Sequence, residues 1–296
     1  MMSIARDIKV YNEYLIVKTF SDSKYLYILN KNTGEVITGI VSQGNGANEI
    51  IDMSDQIQVD NEGNLFWFDY TKKKQFKCNI DSCINSVGNY TTIDFGLYDG
   101  NIDLTLNLDG GYLVSLGDRY SESNQIKRYA IFDAQGSKKY YSGFPIIKGD
   151  TRNLNDIYLN YRTSQHIALS PDQHKFAVAE IYGGILEIFH LNDSINLNSI
   201  HPLYICKEKE LHGFVDLCAT DSFIYAIKID SNLDGTDMKN RYNKIMVFDW
   251  EGKYIKTYQS DYNLLTLDVD ETTGHIYAVG QSIELDSELQ VLSFAL

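Results

Sequence analysis

The sequence predicts an all-β chain, a six-bladed β-propeller of four-stranded antiparallel blades, organised as a single domain over residues 1–296. Three observations carry this. A unit of apolar strand, polar turn and second apolar strand recurs along the whole chain. Each recurrence is followed by a second strand pair joined through an Asn/Asp-x-x-Gly turn. No segment sustains a helical hydrophobic period over three turns, so helix should be nearly absent.

The units run in chain order. "IKVYNEYLIVKT" from Ile8 opens the series, and "YLYILNKNTGEVITGI" from Tyr25 completes its blade. "IQVDNEGNLFWFDY" from Ile57 opens the second blade, and "LTLNLDGGYLVSLGD" from Leu104 the third, which "RYAIFDAQGSKKYYSG" from Arg128 completes. "IALSPDQHKFAVAEI" from Ile167 opens the fourth. "LCATDSFIYAIKI" from Leu217 opens the fifth, and "KIMVFDWEGKYIKTY" from Lys244 completes it. "LDVDETTGHIYAVG" from Leu267 belongs to the sixth. Polar turns recur about every 49 residues, and once after about 62, the period of a four-stranded blade. Gly, Asp, Asn and Pro occupy the turns because they supply tight reversals. Val, Ile, Tyr and Phe fill the strands, where branched and aromatic side chains suit a half-buried pleated surface.

A lone four-stranded blade cannot cover both of its apolar faces. Blades stacked face to face cover one another and expose only short outer edges. The last unit reads as three strands before the sequence stops, so its fourth, outer strand is expected from the other end of the chain, around Met2 to Arg6.

"KIMVFDWEGKYIKTY", the turn "LSPDQHKFAVA" and "SQGNGANEIIDMSDQIQVDNEGNLFWFD" resemble the TolB-like six-bladed propellers of bacterial envelopes. In those families a G-x-G-P-x-E element precedes the inner strand of the second blade. Here Gly44-Asn45-Gly46-Ala47-Asn48-Glu49 stands in its place, with Ala47 where the family has proline. The resemblance covers nearly the whole chain. It implies the fold and an envelope location, periplasmic or as an outer-membrane lipoprotein, and it transfers no catalytic residues. "MMSIARDIKV" itself has no apolar core of a secretion signal.

The formal net charge of −14 argues against binding phosphate backbones or anionic membranes. The one basic run, Lys72-Lys73-Lys74, reads as a solvated hairpin tip. No apolar stretch of about 18 residues exists to cross a membrane as a helix. The four cysteines, Cys78, Cys83, Cys206 and Cys218, show no zinc spacing. Cys78 and Cys83 could bridge across a turn, but the simplest expectation is that most of the thiols are free and buried.

Catalytic signatures are missing: there is no Gly-x-Ser-x-Gly, no P-loop, no complete dinucleotide fingerprint and no His-Glu-x-x-His. The six histidines are scattered, with His174 and His275 at turns or strand starts and expected at the surface. Propellers take ligands where loops gather at one mouth. The longest candidate loop, Gly149 to His166, carries Arg152, Tyr158, Tyr161, Arg162 and His166. Aromatic and arginine side chains together suit recognition; the tyrosines would otherwise pack as a lid. A second loop, Gly117 to Gln125, could reach the same mouth.

"DSNLDGTD" offers Asp230, Asn232 and Asp234 as weak metal candidates, at the first, third and fifth places of a calcium loop. The ninth and twelfth places are Met238 and Arg241, so the late carboxylate is missing. The stretch reads as a polar loop between the second and third strands of the fifth blade. The expected function is a non-enzymatic binding or interaction module without cofactor, taking a protein or a carbohydrate on its loop face. The alternatives are a carbohydrate-binding propeller using tyrosines as stacking platforms, or a metal-dependent lactonase or lyase. The enzyme would draw on inner-strand residues such as Asp52, Asp103, His166 and Asp216.

Overall fold

The computed structural model describes residues 5–20, 23–85, 90–96, 100–116, 127–133, 138–141, 165–180, 185–192, 194–202, 210–232, 243–283 and 288–296. They form two compact units, Met1–Ser142 and Gly143–Leu296. Each holds three antiparallel sheets.

In the first unit, sheet one is β1 (Ala5–Tyr11), β2 (Tyr14–Thr19), β3 (Lys24–Asn30) and β4 (Val36–Ser42), paired in that order. Sheet two is β5 (Gln58–Val59), β6 (Asn64–Asp69), β7 (Lys74–Asn79) and β8 (Thr91–Asp94), with the single helical turn α1 (Ile80–Asn85) before its last strand. Sheet three is β9 (Ile102–Leu108), β10 (Gly111–Leu116), β11 (Tyr129–Asp133) and β12 (Lys138–Tyr141). In the second unit, sheet four is β13 (Gln165–Leu169), β14 (Lys175–Glu180), β15 (Ile185–Leu191) and β16 (Ile195–Pro202). Sheet five is β17 (Glu210–Ala219), β18 (Phe223–Asn232), β19 (Lys244–Asp249) and β20 (Tyr254–Gln259). Sheet six is β21 (Tyr262–Asp270), β22 (His275–Ser282) and β23 (Gln290–Ala295).

Sheet six therefore has three strands among the described residues. Of the segment expected to complete it, Ala5 and Arg6 stand instead in β1, where Ala5 pairs with Thr19; residues 2–4 lie outside the described residues. The other correction to the strand pattern concerns "DSNLDGTD". β18 runs on to Asn232, with Asp230 opposite His212 and Asn232 opposite Glu210, so the stretch starts as strand and not as loop. The long strand β17 supplies a pairing partner, and a paired backbone outweighs the turn propensity of Asp and Asn.

The turns form as their sequences predict. The Asp60 carboxylate accepts the N–H groups of Glu62 and Asn64, and Gly63 donates to the Asp60 carbonyl. Asn30, Asp249 and Asp270 repeat this side-chain-to-backbone pattern. In "SPDQHK" Asp172 accepts the Ser170 hydroxyl at 2.6 Å and the His174 N–H at 3.0 Å. The Ser170 bond, more than any other influence, holds the Asp172 carboxyl below its ordinary range. Gly63 is needed twice over: its φ is +74°, and a β-carbon there would run into the Tyr11 ring.

Within each unit neighbouring sheets share apolar cores. Ile16, Ile28, Ile40, Leu65, Trp67 and Phe76 join sheets one and two. Trp67 stacks on Phe76 and meets Tyr90 edge-on. Phe68, Phe95, Ile102, Val114 and Phe132 join sheets two and three. Leu186, Ile188, Phe214 and Phe248 join sheets four and five, and Ile227, Val247, Leu264 and Ile276 join five and six. Each such side chain contributes roughly 1.5–3 kcal/mol on burial.

Apolar packing alone would let sheets slide, since it has no direction. Polar staples between first strands set the register. Asp7, buried on β1, accepts the Ile57 N–H at 2.7 Å through one oxygen, and the Ile8 N–H and the Lys9 ammonium through the other. The Gln58 amide pairs with Asn107 in both directions, donating to its carbonyl at 3.0 Å and accepting its N–H at 2.6 Å. In the second unit Asp216 accepts the Leu267 N–H at 2.9 Å. The partners lie 49 to 51 residues apart, which is the sequence repeat itself.

Lys18, on β2 opposite Asp7, is fully buried and reaches the exposed Asp55 carboxylate at 3.1 Å. Burial, outweighing the attraction of Asp55 and Asp7, lowers its ammonium pKa. An unfolded lysine binds its proton more tightly, so burying the charge costs stability below the folded pKa, and that cost fades as pH rises towards 10.5. Urea denaturation should find Lys18→Met equal to or more stable than wild type at pH 7, with the difference shrinking at pH 10. Asp7→Ala should lose about 3 kcal/mol at pH 7, because it leaves the Ile57 N–H without its acceptor and removes a negative charge from beside the buried Lys18 ammonium.

Candidate functional site

In each unit the connections from a last strand to the next first strand, and from a second strand to a third, emerge at the end where the first strands begin. That is a consequence of the up-and-down pairing order. Arg152, Tyr158, Tyr161, Arg162 and Asp234 lie outside the described residues. So does the stretch from Gly117 to Gln125.

His166 is described. It stands at the second position of β13, and its ring Nδ1 lies 3.0 Å from Asp216 Oδ1 on β17, the next first strand. The His166 side chain keeps 17% of its exposure and that of Asp216 only 3%. The second Asp216 oxygen takes the Leu267 N–H, so this carboxylate ties sheets four, five and six together. The pair sets an imidazole nitrogen beside a buried, backbone-anchored carboxylate. Of the other inner-strand candidates, Asp103 stands on β9 and Asp52 precedes β5, both in the first unit. Among the described residues no three His, Cys, Asp or Glu side chains are grouped to hold a metal ion.

In the first unit the G-x-G element is a tightly bonded loop. Glu49 folds back so that its carboxylate accepts the Gly46 N–H at 2.8 Å. A β-carbon at Gly44 would collide with that carboxylate, which accounts for the glycine. Gly44 donates to the Ile50 carbonyl. Lys72 reaches in from the β6–β7 turn and donates to the carbonyls of Gly46 and Glu49 at 2.8 and 2.7 Å. The basic run is thus a clasp rather than a solvated tip: Lys73 donates to the Gly100 carbonyl, and Lys74 lies 3.6 Å from Asp94. The carbonyls of irregular loops stand outside any strand ladder, and a lysine in reach is the donor that serves them.

The adjoining segment 51–55 is clamped along the end of β6. Ile51 donates to the Asp69 carboxylate, Tyr70 to the Asp52 carbonyl and Ser54 to the Phe68 carbonyl. Tyr70 and Phe20 stand at the ends of β6 and β2, with 42% and 45% of their surface exposed. Burial of its hydroxyl end, and then the hydrogen bond to Asp52, raise the Tyr70 phenol. Neither aromatic residue is singled out by periodicity, because each directly follows an apolar strand and continues its pattern.

The cysteine expectation needs correction: Cys78 and Cys83 form a disulfide, and Cys218 is a buried thiol outside any disulfide. The helical turn α1 carries Cys83 back under the end of β7, which brings the two sulfurs together. His174 is exposed as expected, and His275 is half-buried.

The fold and these motifs agree with the comparisons. A model of the TolB-like 6-blade propeller-like family matches residues 1–272, and the chain belongs to that family. Its fold is accordingly the six-bladed β-propeller with four-stranded antiparallel blades. No curated protein matches the sequence. Among solved structures, a member of the DUF4221 family from Bacteroides vulgatus is similar with a TM-score of 0.57 and 11% identity, over 100% of this chain and 94% of that one. A protein of Bacteroides fragilis described as exported gives 0.54 and 14%, over 94% and 78%. A gluconolactonase of Xanthomonas campestris gives 0.54 and 11%, over 90% and 79%. At these identities the likeness is one of fold. Among the described residues no helix is long and apolar enough to cross a membrane.

Because Asp216 bonds the Leu267 N–H and lies against the His166 ring, Asp216→Ala should destabilise by about 3 kcal/mol and His166→Ala by roughly 1 kcal/mol. Equal shifts of the urea midpoint in the two variants would refute the dual role of Asp216.

Proposed function

We propose that the chain is a non-enzymatic binding propeller of a bacterial envelope, a single domain over residues 1–296. Its loop-bearing end would take a protein or a carbohydrate ligand. One observation carries this reading most: the buried inner-strand carboxylates Asp7 and Asp216 are engaged by backbone N–H groups of the neighbouring sheet. Acid, base or metal-ligand work needs carboxylates turned to a substrate, whereas these hold the framework. The loop from Gly149 to His166, with Arg152, Tyr158, Tyr161, Arg162 and His166, has the aromatic and arginine composition of a recognition surface.

The envelope location is supported by the Cys78–Cys83 disulfide, because such bonds persist in oxidising compartments, and by the family. Mass spectrometry of protein alkylated before reduction should recover the 78–83 peptides as a linked species. Alkylation of both thiols in freshly isolated protein would count against an oxidising compartment.

The His166–Asp216 pair sustains a second reading, a hydrolase of the lactonase kind, since an imidazole beside a carboxylate can accept a proton from water. Two measurements separate the readings. Crosslinking to envelope extracts should yield a partner that is lost in the Tyr158→Ala, Tyr161→Ala, Arg162→Ala triple variant. Hydrolysis of glucono-1,5-lactone, assayed with added calcium, magnesium or zinc, should stay at the uncatalysed rate. Turnover that vanishes in His166→Ala would overturn the non-enzymatic reading.

A further inference from the structure

The loop from Gly44 to Glu49 contains Asn45-Gly46, the one Asn-Gly pair in the sequence. Both residues are exposed. Such a pair is open to a reaction with itself. The main-chain nitrogen of the glycine attacks the side-chain carbonyl carbon of the asparagine, and glycine has no β-carbon to obstruct the approach. The new C–N bond closes a succinimide ring. The asparagine side-chain nitrogen leaves as ammonia, carrying away the proton that the glycine N–H gives up through solvent. Water then opens the ring at either carbonyl and leaves aspartate or isoaspartate. Water is the only co-reactant, and nothing is oxidised or reduced.

The nitrogen that would attack is already engaged. The Gly46 N–H donates to the Glu49 carboxylate at 2.8 Å. Its surroundings are held as well. Gly44 donates to the Ile50 carbonyl at 2.9 Å, and Ile50 to the Ser42 carbonyl at 3.0 Å. The Lys72 ammonium donates to the carbonyls of Gly46 and Glu49 at 2.8 and 2.7 Å. A succinimide nitrogen carries no hydrogen. The ring and the bond to Glu49 therefore exclude each other: Gly46 is held or it reacts. Attack has to wait until the loop opens, and its rate follows the population of the open loop.

We propose that Asn45 is a site of spontaneous deamidation held in check by the Glu49 carboxylate, so that the loop from Gly44 to Glu49 converts its own opening into a permanent chemical change. A reacted loop does not close as before. Isoaspartate lengthens the main chain between Gly44 and Gly46. Either product adds a carboxylate beside the N–H that the Glu49 carboxylate has to reach, and the two like charges repel. The Lys72 bonds weaken with it, because they need the Gly46 and Glu49 carbonyls side by side. This inference is independent of the binding-propeller reading and stands or falls without it.

The test incubates the full chain at mildly alkaline pH and follows amide-to-carboxyl conversion at Asn45 by peptide mass spectrometry. A synthetic peptide of residues 42–51 gives the unguarded rate under the same conditions. The folded protein should react about tenfold more slowly than the peptide, or slower still. Glu49→Ala should react about tenfold faster than wild type, the factor that follows from losing a hydrogen bond to a charged group. Glu49→Gln, which keeps an acceptor, should stay closer to wild type. Circular dichroism checks that each variant is folded. The reacted protein, separated by ion exchange, should be cut after Glu49 by a glutamate-specific protease faster than the unreacted protein. The proposal fails if the folded wild type reacts at the rate of the peptide, if Glu49→Ala reacts no faster than wild type, or if reaction leaves cleavage after Glu49 unchanged. The comparison of wild type with peptide needs no variant, so it decides even if Glu49→Ala does not fold.

Discussion

The structure depends on one kind of bond: a polar side chain on the first strand of a sheet that takes the main-chain N–H of the first strand of the next sheet. Asp7 does this for Ile57, the residue leading into β5, and Asp216 for Leu267; the Gln58 amide does it for Asn107 and gives a hydrogen bond back. First strands are where sheets come together, so their backbone groups would otherwise be buried without partners. A carboxylate there meets that need and costs little only because it is saturated. Asp7 also receives Ile8 and Lys9, and Asp216 has the His166 Nδ1 at 3.0 Å from its other oxygen. The apolar faces supply most of the driving force, and these directional bonds choose one alignment among the many that flat faces would allow.

The same economy of partners governs the irregular parts. The loop from Gly44 to Glu49 has no ladder, and it is held by a carboxylate for an N–H and a lysine for two carbonyls. Lys72 shows how a residue type that is solvated in most hairpins becomes internal: the nearby turn brings an ammonium within reach of carbonyls that no ladder pairs. Lys18 takes this further, with a wholly buried charge under an exposed aspartate. Such pairs contribute little net stability, and they fix geometry where they stand.

The fold was legible in the sequence because it rests on signals that act locally. Asp60, Asn30, Asp249 and Asp270 announce turns by a chemistry that needs only the next few residues, and the repeat multiplies that signal along the chain. Meetings between distant residues were not legible. His166 could be singled out, but its contact with Asp216 depends on two strands coming together fifty residues apart. The Cys78–Cys83 bond depends on a helical turn too short to show a period. Phe20 and Tyr70 follow directly on β2 and β6, and whether an aromatic residue there is exposed is decided by its neighbours in space. "DSNLDGTD" misled in the other direction: a long partner strand carried its first three residues into β18.

The inner staples also bear on how such a chain tolerates change. The acceptor is a particular side chain, but the donor is a main-chain N–H, which every residue except proline provides. A sheet that receives a staple is therefore recognised by its backbone path and not by its composition. Ile57 and Leu267 are aliphatic and Asn107 is an amide, yet each is held in the same way. The receiving position needs only a main-chain N–H, whereas the stapling position needs a side-chain acceptor such as that of Asp or Gln.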